Sequence, residues 1–351
     1  MKKLKFFLAP FAIVYWLLTS FRNFLFDKKI KRSLAFSLPI INVGNLSMGG
    51  TGKTPHIELL IRLFKESHSV STLSRGYGRK VFGFQLADES SNADKIGDEP
   101  FQFYRKFGTE ISVAVDADRV NGVSEICLQK PGVNLILLDD AFQHRYIKPG
   151  FNILLTDFNE PFFDDFLVPL GTLRESRKGK ERADAIIVTK CPPNLTTGMK
   201  SEILIKIAPN SNQSVFFSSI KYGQIRSLTN FNNLSQNQES IILVTGIARA
   251  EPLLAHLSKT YNVIKHFKYP DHYRFMQNDL AEINNLLTKF ANDSPVIITT
   301  EKDAMRLLND EFSAVITSHP WYYQEIEVKL NDQINFNKLI KNYVQKNSRD
   351  Y

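Results

Sequence analysis

The chain has 351 residues, 43% of them hydrophobic and 23% charged, with 17 glycines and 15 prolines. That supplies a sizeable core with room for two domains, and it excludes disordered, collagen-like and low-complexity chains. A net charge of +8 favours an anionic partner, whether phosphate ligands, nucleic acid or an acidic membrane surface, and the two cysteines, Cys127 and Cys191, suit a reducing compartment rather than a disulfide framework.

The chain opens on MKKLK and then runs uncharged from residue 6 to 21. A bilayer span needs about 20 apolar residues. This run is shorter, contains Pro10 and closes on Thr19 and Ser20 before Arg22. A cleaved signal would show a small-residue cleavage pattern, whereas FRNFLFDKKIKR follows. The expectation is a helix lying in the headgroup region, with Tyr15 and Trp16 near the interface and the flanking Lys and Arg drawn to anionic lipid. An apolar helix packed on the protein's own core and a true span are the alternatives.

Short β-rich apolar runs then recur at 40–43, 69–73, 111–115, 135–138, 152–156 and 185–189, with helical patterns between them. This alternation predicts α/β units with a mainly parallel sheet. A polar, turn-rich stretch at 192–239 precedes a second series: strands at 241–244, 262–267 and 296–299, helices at 252–260 and 279–290. The expected organisation is an N-terminal apolar helix (1–30), a P-loop α/β domain (31–215) and a smaller α/β domain (216–351) that completes a cleft.

The phosphate-binding expectation rests on GNLSMGGTGKTP, placed between the strand at 40–43 and a helix at 55–64. Here Ser47, Met48, Gly49, Gly50, Thr51, Gly52, Lys53 and Thr54 form a Walker A-like loop, with Ser47 at the first consensus glycine. Its glycines allow backbone N–H groups to approach phosphate, and the helix N-terminus adds its dipole. Lys53 would pair with the β and γ phosphates, and the Thr54 hydroxyl with Mg²⁺. LILLDD then supplies a Walker B-like end, with Asp139 or Asp140 holding the metal directly or through water. Guanine recognition by an [NT]KxD motif lacks its Asp in Thr189-Lys190-Cys191-Pro192, so ATP is preferred.

Over most of its length the chain resembles the lipid A 4'-kinase (tetraacyldisaccharide 4'-kinase) family. The resemblance rests on the apolar helix followed by RNFLFD, VGNLSMGGTGKTP, SRGYGR at 74–79, GDEP at 97–100 and DADR at 116–119. It continues through LLDDAFQHR at 137–145, PLGTLRES at 169–176, TGIA at 245–248, PDHYRF at 270–275 and TTEKDAMRL at 299–307. It implies transfer of the ATP γ-phosphoryl group to the 4'-hydroxyl of a tetraacylated glucosamine disaccharide 1-phosphate, at the cytoplasmic face of the inner membrane. It further implies Asp98 as general base, with His272 orienting or tuning it.

Arg119 and Arg174 are candidates to hold phosphate charge. Glu99, Gln143, His144 and Glu175 belong to the same site without an assigned role, and residues 300–303 match the family pattern without a mechanism. The expected partners are therefore the lipid substrate and an anionic membrane surface, with ATP and Mg²⁺ as cofactors and neither nucleic acid nor an obligatory protein partner. A P-loop ATPase working as a hydrolysis-driven switch in protein targeting or metal delivery is the competing function.

Overall fold

The structure, a computed structural model, describes residues 2–229, 234–235, 237–271, 273–290 and 294–348, without the side chains of residues 2–6 and 310. A long helix, α1 (Lys2–Asp27), leads into β1 (Ile40–Asn45), α2 (Lys53–Phe64), β2 (Val70–Ser74) and β3 (Gln85–Leu86). Next come α3 (Ala93–Ile96), α4 (Asp98–Phe107), β4 (Ser112–Val115), α5 (Arg119–Gln129), β5 (Leu135–Asp139), β6 (Phe151–Asp157) and β7 (Ala185–Thr189). The C-terminal part holds α6 (Thr197–Ile207), β8 (Ser214–Ser227), β9 (Ser240–Thr245), α7 (Glu251–Leu257), β10 (Asn262–Lys268) and α8 (Gln277–Lys289). It ends with β11 (Val296–Thr300), α9 (Glu301–Leu307), α10 (Ser313–Ser318), β12 (Trp321–Leu330) and α11 (Gln333–Asn347).

All strands belong to one sheet, ordered β10-β9-β11-β12-β8-β7-β6-β1-β5-β2-β4-β3. Its pairings are parallel except β3 with β4 and β8 with β12. The mainly parallel α/β architecture expected from the alternating pattern is what the chain adopts. Parallel strands covered on both faces are apolar throughout, and β1, β2, β5 and β7 are buried at every position.

β8 joins the two halves. Ser214 to Phe217 pair with β7, and Ser218 to Ser227 pair antiparallel with β12. The expected division between residues 215 and 216 therefore falls inside a strand, and the polar, turn-rich stretch at 192–239 carries α6 and β8. α11 crosses back as well. Phe336, Ile340 and Val344 are buried in the core that also contains Ile41, Val43 and Leu137, and the Tyr343 hydroxyl meets both backbone groups of Ile40 at 3.1 Å. Burying such side chains stabilises by about 1.5–3 kcal/mol each, which ties the last helix to the first half of the sheet.

α1 inverts the usual amphipathic arrangement. Ala12, Tyr15, Thr19, Arg22, Asn23 and Phe26 are buried or half-buried along one stripe with the 3–4 residue spacing of a helix face. Phe7, Phe11, Val14, Leu17, Leu18 and Phe21 are exposed. The polar groups thus face the protein and the apolar ones face away, which overturns the core-helix alternative. Pro10 lies inside the helix rather than ending it. Residues 7–27 are long and apolar enough to cross a membrane by composition, yet the inner stripe is hydrogen-bonded to the protein body along the second half of the helix.

Candidate active site

Parallel register builds the centre of the site. Val43 of β1 lies beside Asp139 of β5, so the loop after β1 and the turn after β5 emerge together at the carboxyl edge of the sheet, where ligands of open α/β sheets bind. β6 and β7 bring Asp157 and Thr189 to the same edge. The phosphate loop itself turns on Gly49 and Gly52, at φ 116° and 86°, a region costly for any residue with a Cβ. A Cβ built at Gly49 or Gly50 meets nothing within 4 Å, so the space above the loop is open to an approaching phosphate.

The loop is held from below. The Thr189 hydroxyl donates to Thr51 O at 2.9 Å, Asn45 Nδ2 donates to the Thr51 hydroxyl at 2.9 Å, and Lys190 Nζ donates to Gly50 O while pairing with Asp157 at 2.8 Å. His56 is fully buried, and burial pushes its pKa down to about 4, so the ring is neutral. Its Nδ1 contacts Gly52 O at 2.7 Å and its Nε2 contacts the Ser218 hydroxyl at 3.1 Å. A carbonyl only accepts, so Nδ1 carries the proton and the Ser218 hydroxyl donates to Nε2.

α2 starts at Lys53 with Gly52 as its N-cap. Lys53 Nζ lies 3.6 Å from Asp140 Oδ2, and Arg174 Nη1 donates to both Asp140 oxygens at 2.9 and 3.0 Å. Arg174 arrives there because its own strand-like segment pairs with the start of the loop: Met48 N donates to Thr172 O at 2.7 Å and Arg174 N to Leu46 O at 2.8 Å. Burial opposes ionisation of Asp140, but Lys53, Arg174 and Arg119 outweigh it and hold the carboxyl below its ordinary range.

Asp139 is the opposite case. Burial, reinforced by Asp140 and Glu99 and only partly offset by Lys53 and Arg119, pushes it up to about 7. Its Oδ2 accepts from the Ser74 hydroxyl at 3.2 Å, while its buried Oδ1 has no hydrogen-bond partner among the described residues. Such an orphaned oxygen at a Walker B position fits a divalent cation. The described residues contain no cluster of three or more His, Cys, Asp or Glu that could hold a metal. That sparse donor set suits Mg²⁺, which keeps several waters and binds through one or two carboxylates and the substrate phosphates.

Arg119 corrects an expectation. Its side chain is 2% exposed, and its guanidinium donates to the carbonyls of Asp116, Ala117, Asp139 and Asp140 at 3.2–3.3 Å. Burial lowers its pKa to about 10, so it is still a cation. It holds the Walker B turn from beneath, leaving Arg174 as the candidate phosphate ligand. The DADR segment is likewise structural, with Asp118 capping α5 and Asp116 accepting from Asp118 N at 2.9 Å and Asn121 Nδ2 at 2.7 Å.

Gln143 and Glu175 form a hub beside this centre. Buried Glu175 accepts from Gln143 Nε2 at 3.0 Å, Arg182 Nη2 at 2.7 Å and Asn23 Nδ2 at 2.8 Å. Gln143 Nε2 also donates to Asn45 O at 2.9 Å. α1 closes the circle: Tyr15 donates its hydroxyl to Arg174 O at 2.8 Å, and Arg22 Nη2 donates to Gln143 O at 2.8 Å. His144 is held below its ordinary pKa by burial and by neighbouring Arg119, and lies 3.7 Å from Asp118.

Asp98 and Glu99 open α4, where carboxylates favour the helix dipole. Asp98 Oδ2 accepts from Arg306 Nε at 2.6 Å, and Glu99 lies 3.1 Å from Lys302. His272 falls outside the described residues. Tyr15, expected near the membrane interface, instead turns inward onto Arg174, and Arg22, expected to meet anionic lipid, faces Gln143; Asn23, Ser74, Lys190 and Arg306 are the residues that sequence reasoning missed. In the sequence Lys190 speaks only to guanine recognition, and Arg306 lies in TTEKDAMRL, a motif that carries no mechanism of its own.

A P-loop with a Walker B carboxylate, a cluster of acidic and basic side chains and a loop open to solvent define the nucleotide site of a P-loop protein. The family model described as tetraacyldisaccharide-1-P 4'-kinase matches residues 4–345. A tetraacyldisaccharide 4'-kinase of Flavobacterium johnsoniae is 46% identical over 343 residues, 97% of each chain. One of Bacteroides fragilis is 42% identical over 356 residues, 98% of this chain and 94% of the other. The structure of LpxK from Aquifex aeolicus in complex with ATP matches with a TM-score of 0.75 at 27% identity, covering 97% of this chain and 99% of that one. The chain belongs to the tetraacyldisaccharide-1-phosphate 4'-kinase family and is a phosphotransferase with an alcohol group as acceptor. This favours phosphoryl transfer in lipid A biosynthesis over the hydrolysis-driven switch.

Proposed function

We propose that the protein works at the cytoplasmic face of the inner membrane as a peripheral or monotopic enzyme, transferring the γ-phosphoryl group of ATP to the 4'-hydroxyl of an acylated glucosamine disaccharide 1-phosphate. The observation that carries this is the docking of an outwardly apolar helix, through Tyr15, Arg22 and Asn23, onto the same Arg174, Gln143 and Glu175 that border the phosphate loop. A surface that enters lipid is thereby continuous with the phosphoryl-transfer site.

In this reading Ser47 to Thr54 cradle the triphosphate, and Lys53 and Arg174 supply cationic charge to it. Mg²⁺, held by Thr54, Asp139 and Asp140, would supply charge neutralisation at the phosphates. The acceptor oxygen attacks the γ-phosphorus in line, the bond from that phosphorus to the β–γ bridging oxygen breaks, ADP leaves, and the hydroxyl proton passes to Asp98. His272 is the proposed partner of Asp98. Two lobes, one on each side of β8, would close over the bound pair and exclude water.

The test is direct: incubate the purified full-length protein with γ-labelled ATP and the disaccharide lipid in mixed micelles. Label on the lipid at the 4' position is expected. Release of labelled phosphate at the same rate with and without lipid, and no labelled lipid, would refute the reading.

A further inference from the structure

The TGIA, PDHYRF and TTEKDAMRL segments lie outside the nucleotide loop, yet they pack together at Gly246, beside one buried carboxylate. Asp303 is 0% exposed. Its Oδ2 accepts from Gly246 N at 2.8 Å and the Thr300 hydroxyl at 2.7 Å, and its Oδ1 accepts from Arg306 Nη1 at 2.9 Å. The packing here leaves no slack: a Cβ at Gly246 would stand 3.0 Å from Asp303 Oδ1, 3.3 Å from Tyr273 Cβ and 3.5 Å from Pro270 O. Arg306 Nη1 also donates to Gly246 O at 3.2 Å. One edge of the guanidinium is thus fixed by two acceptors in its own half, and its Nε reaches across to Asp98 Oδ2 at 2.6 Å.

We infer that Arg306, oriented by Asp303, is a positioning residue for Asp98. It occupies Oδ2 and leaves Oδ1 as the oxygen presented to the acceptor hydroxyl. The base is then correctly aimed only when the C-terminal half is docked against α4. This rests on the proposed role of Asp98 as general base. A purely structural ion pair is the competing account, but α4 and α9 are already fastened by Glu99 with Lys302 at 3.1 Å and Lys106 with Glu301 at 2.6 Å. The Arg306 pair adds what those do not, a planar fork whose orientation is set on the opposite edge by a buried acid.

The experiment compares full-length wild type, R306Q, R306K, D98N and the double variant R306Q/D98N for kcat, for KM toward ATP and lipid, and for thermal midpoint. R306Q is expected to lower kcat by about 10- to 100-fold with KM for ATP changed less than about twofold, and R306K, which keeps the charge but not the planar fork, to recover little of the loss. In the D98N background R306Q is expected to have no further effect, since two residues acting as a unit are non-additive.

Wild-type kcat in R306Q while D98N is inactive would overturn the inference and leave the base assignment standing. An equal loss in both backgrounds would overturn it in favour of a structural role. Wild-type activity in D98N would instead remove the base assignment itself, and the inference with it. Should R306Q fail to fold, D303N takes its place: a kcat-selective loss that vanishes in the D98N background supports the inference, and an unchanged kcat overturns it.

Discussion

Asp139 and Asp140 are adjacent in the chain and sit in opposite surroundings, one pushed up to about 7 by burial and the other held low by Lys53 and Arg174. Both depend on Arg119, which fixes the carbonyls of the turn that carries them. Arg119→Met leaves four carbonyls without that donor, a loss of about 3 kcal/mol or more. For a chain of this size, at about 2.1 cal/mol/K of unfolding entropy per residue, that is roughly a 4 °C drop in thermal midpoint. A midpoint within experimental error of wild type would mean those carbonyls find other donors.

At Asp98 the expected signature is kinetic instead. Asp98→Asn should cost about 10²- to 10⁴-fold in kcat, the span of general base catalysis, with ATP affinity by calorimetry within about twofold of wild type. Wild-type turnover would remove the role. The Walker A and Walker B strings were legible because their chemistry is local. The role of Arg119 was not, because an arginine's partners are set by β2, β4 and β5 lying side by side, and nothing in DADR distinguishes a surface guanidinium from a buried one.

α1 is the element where composition and placement have to be separated. Its apolar run could be read in the sequence, but the inward stripe of Tyr15, Arg22 and Asn23 depends on partners 120 or more residues away. Two sets of variants separate its two faces. Serine at Phe11, Leu18 and Phe21 removes side chains that are 63–67% exposed. Each can bring about 1.5–3 kcal/mol to burial in lipid, so co-sedimentation with anionic vesicles should fall on the order of a hundredfold or more, with the thermal midpoint unchanged.

Alanine at Arg22 and Asn23 should do the reverse, keeping vesicle binding while lowering kcat, because Glu175 and the Gln143 carbonyl lose partners. Equal vesicle binding by the serine variant and wild type would place the membrane contact elsewhere. β8 and β12 illustrate the same limit. Their antiparallel pair joins residues about a hundred apart, from Tyr322 with Ser227 to Leu330 with Ser218. β8 is polar enough at alternate positions to read as turn-rich chain, so the strand that makes the sheet continuous falls within the stretch where the sequence places a domain boundary.

Across the whole molecule, the two halves meet through charge as well as through β8. Glu58 on α2 accepts from Gln102 and Arg62 and pairs with Lys106 at 2.8 Å, and Lys106 pairs in turn with Glu301 at the start of α9. One half-buried lysine thus serves two buried carboxylates, and they repel. Burial and then Glu58 raise the pKa of Glu301 from 4.5 to about 7, with Lys106 offsetting part. Between those values the folded chain holds a proton that the unfolded chain has lost. Stability from this group is therefore present at low pH and lost as pH rises through the folded value.

Glu301→Gln removes the titration and the repulsion while keeping an oxygen for Lys106. Measured by urea unfolding at a series of pH values, the variant should match or trail wild type near pH 4.5 and gain on it steadily toward about 7, with a flat difference above. A difference independent of pH across that window would show that Glu301 stays ionised in the folded chain. The cluster would then clamp the two halves equally well at every pH.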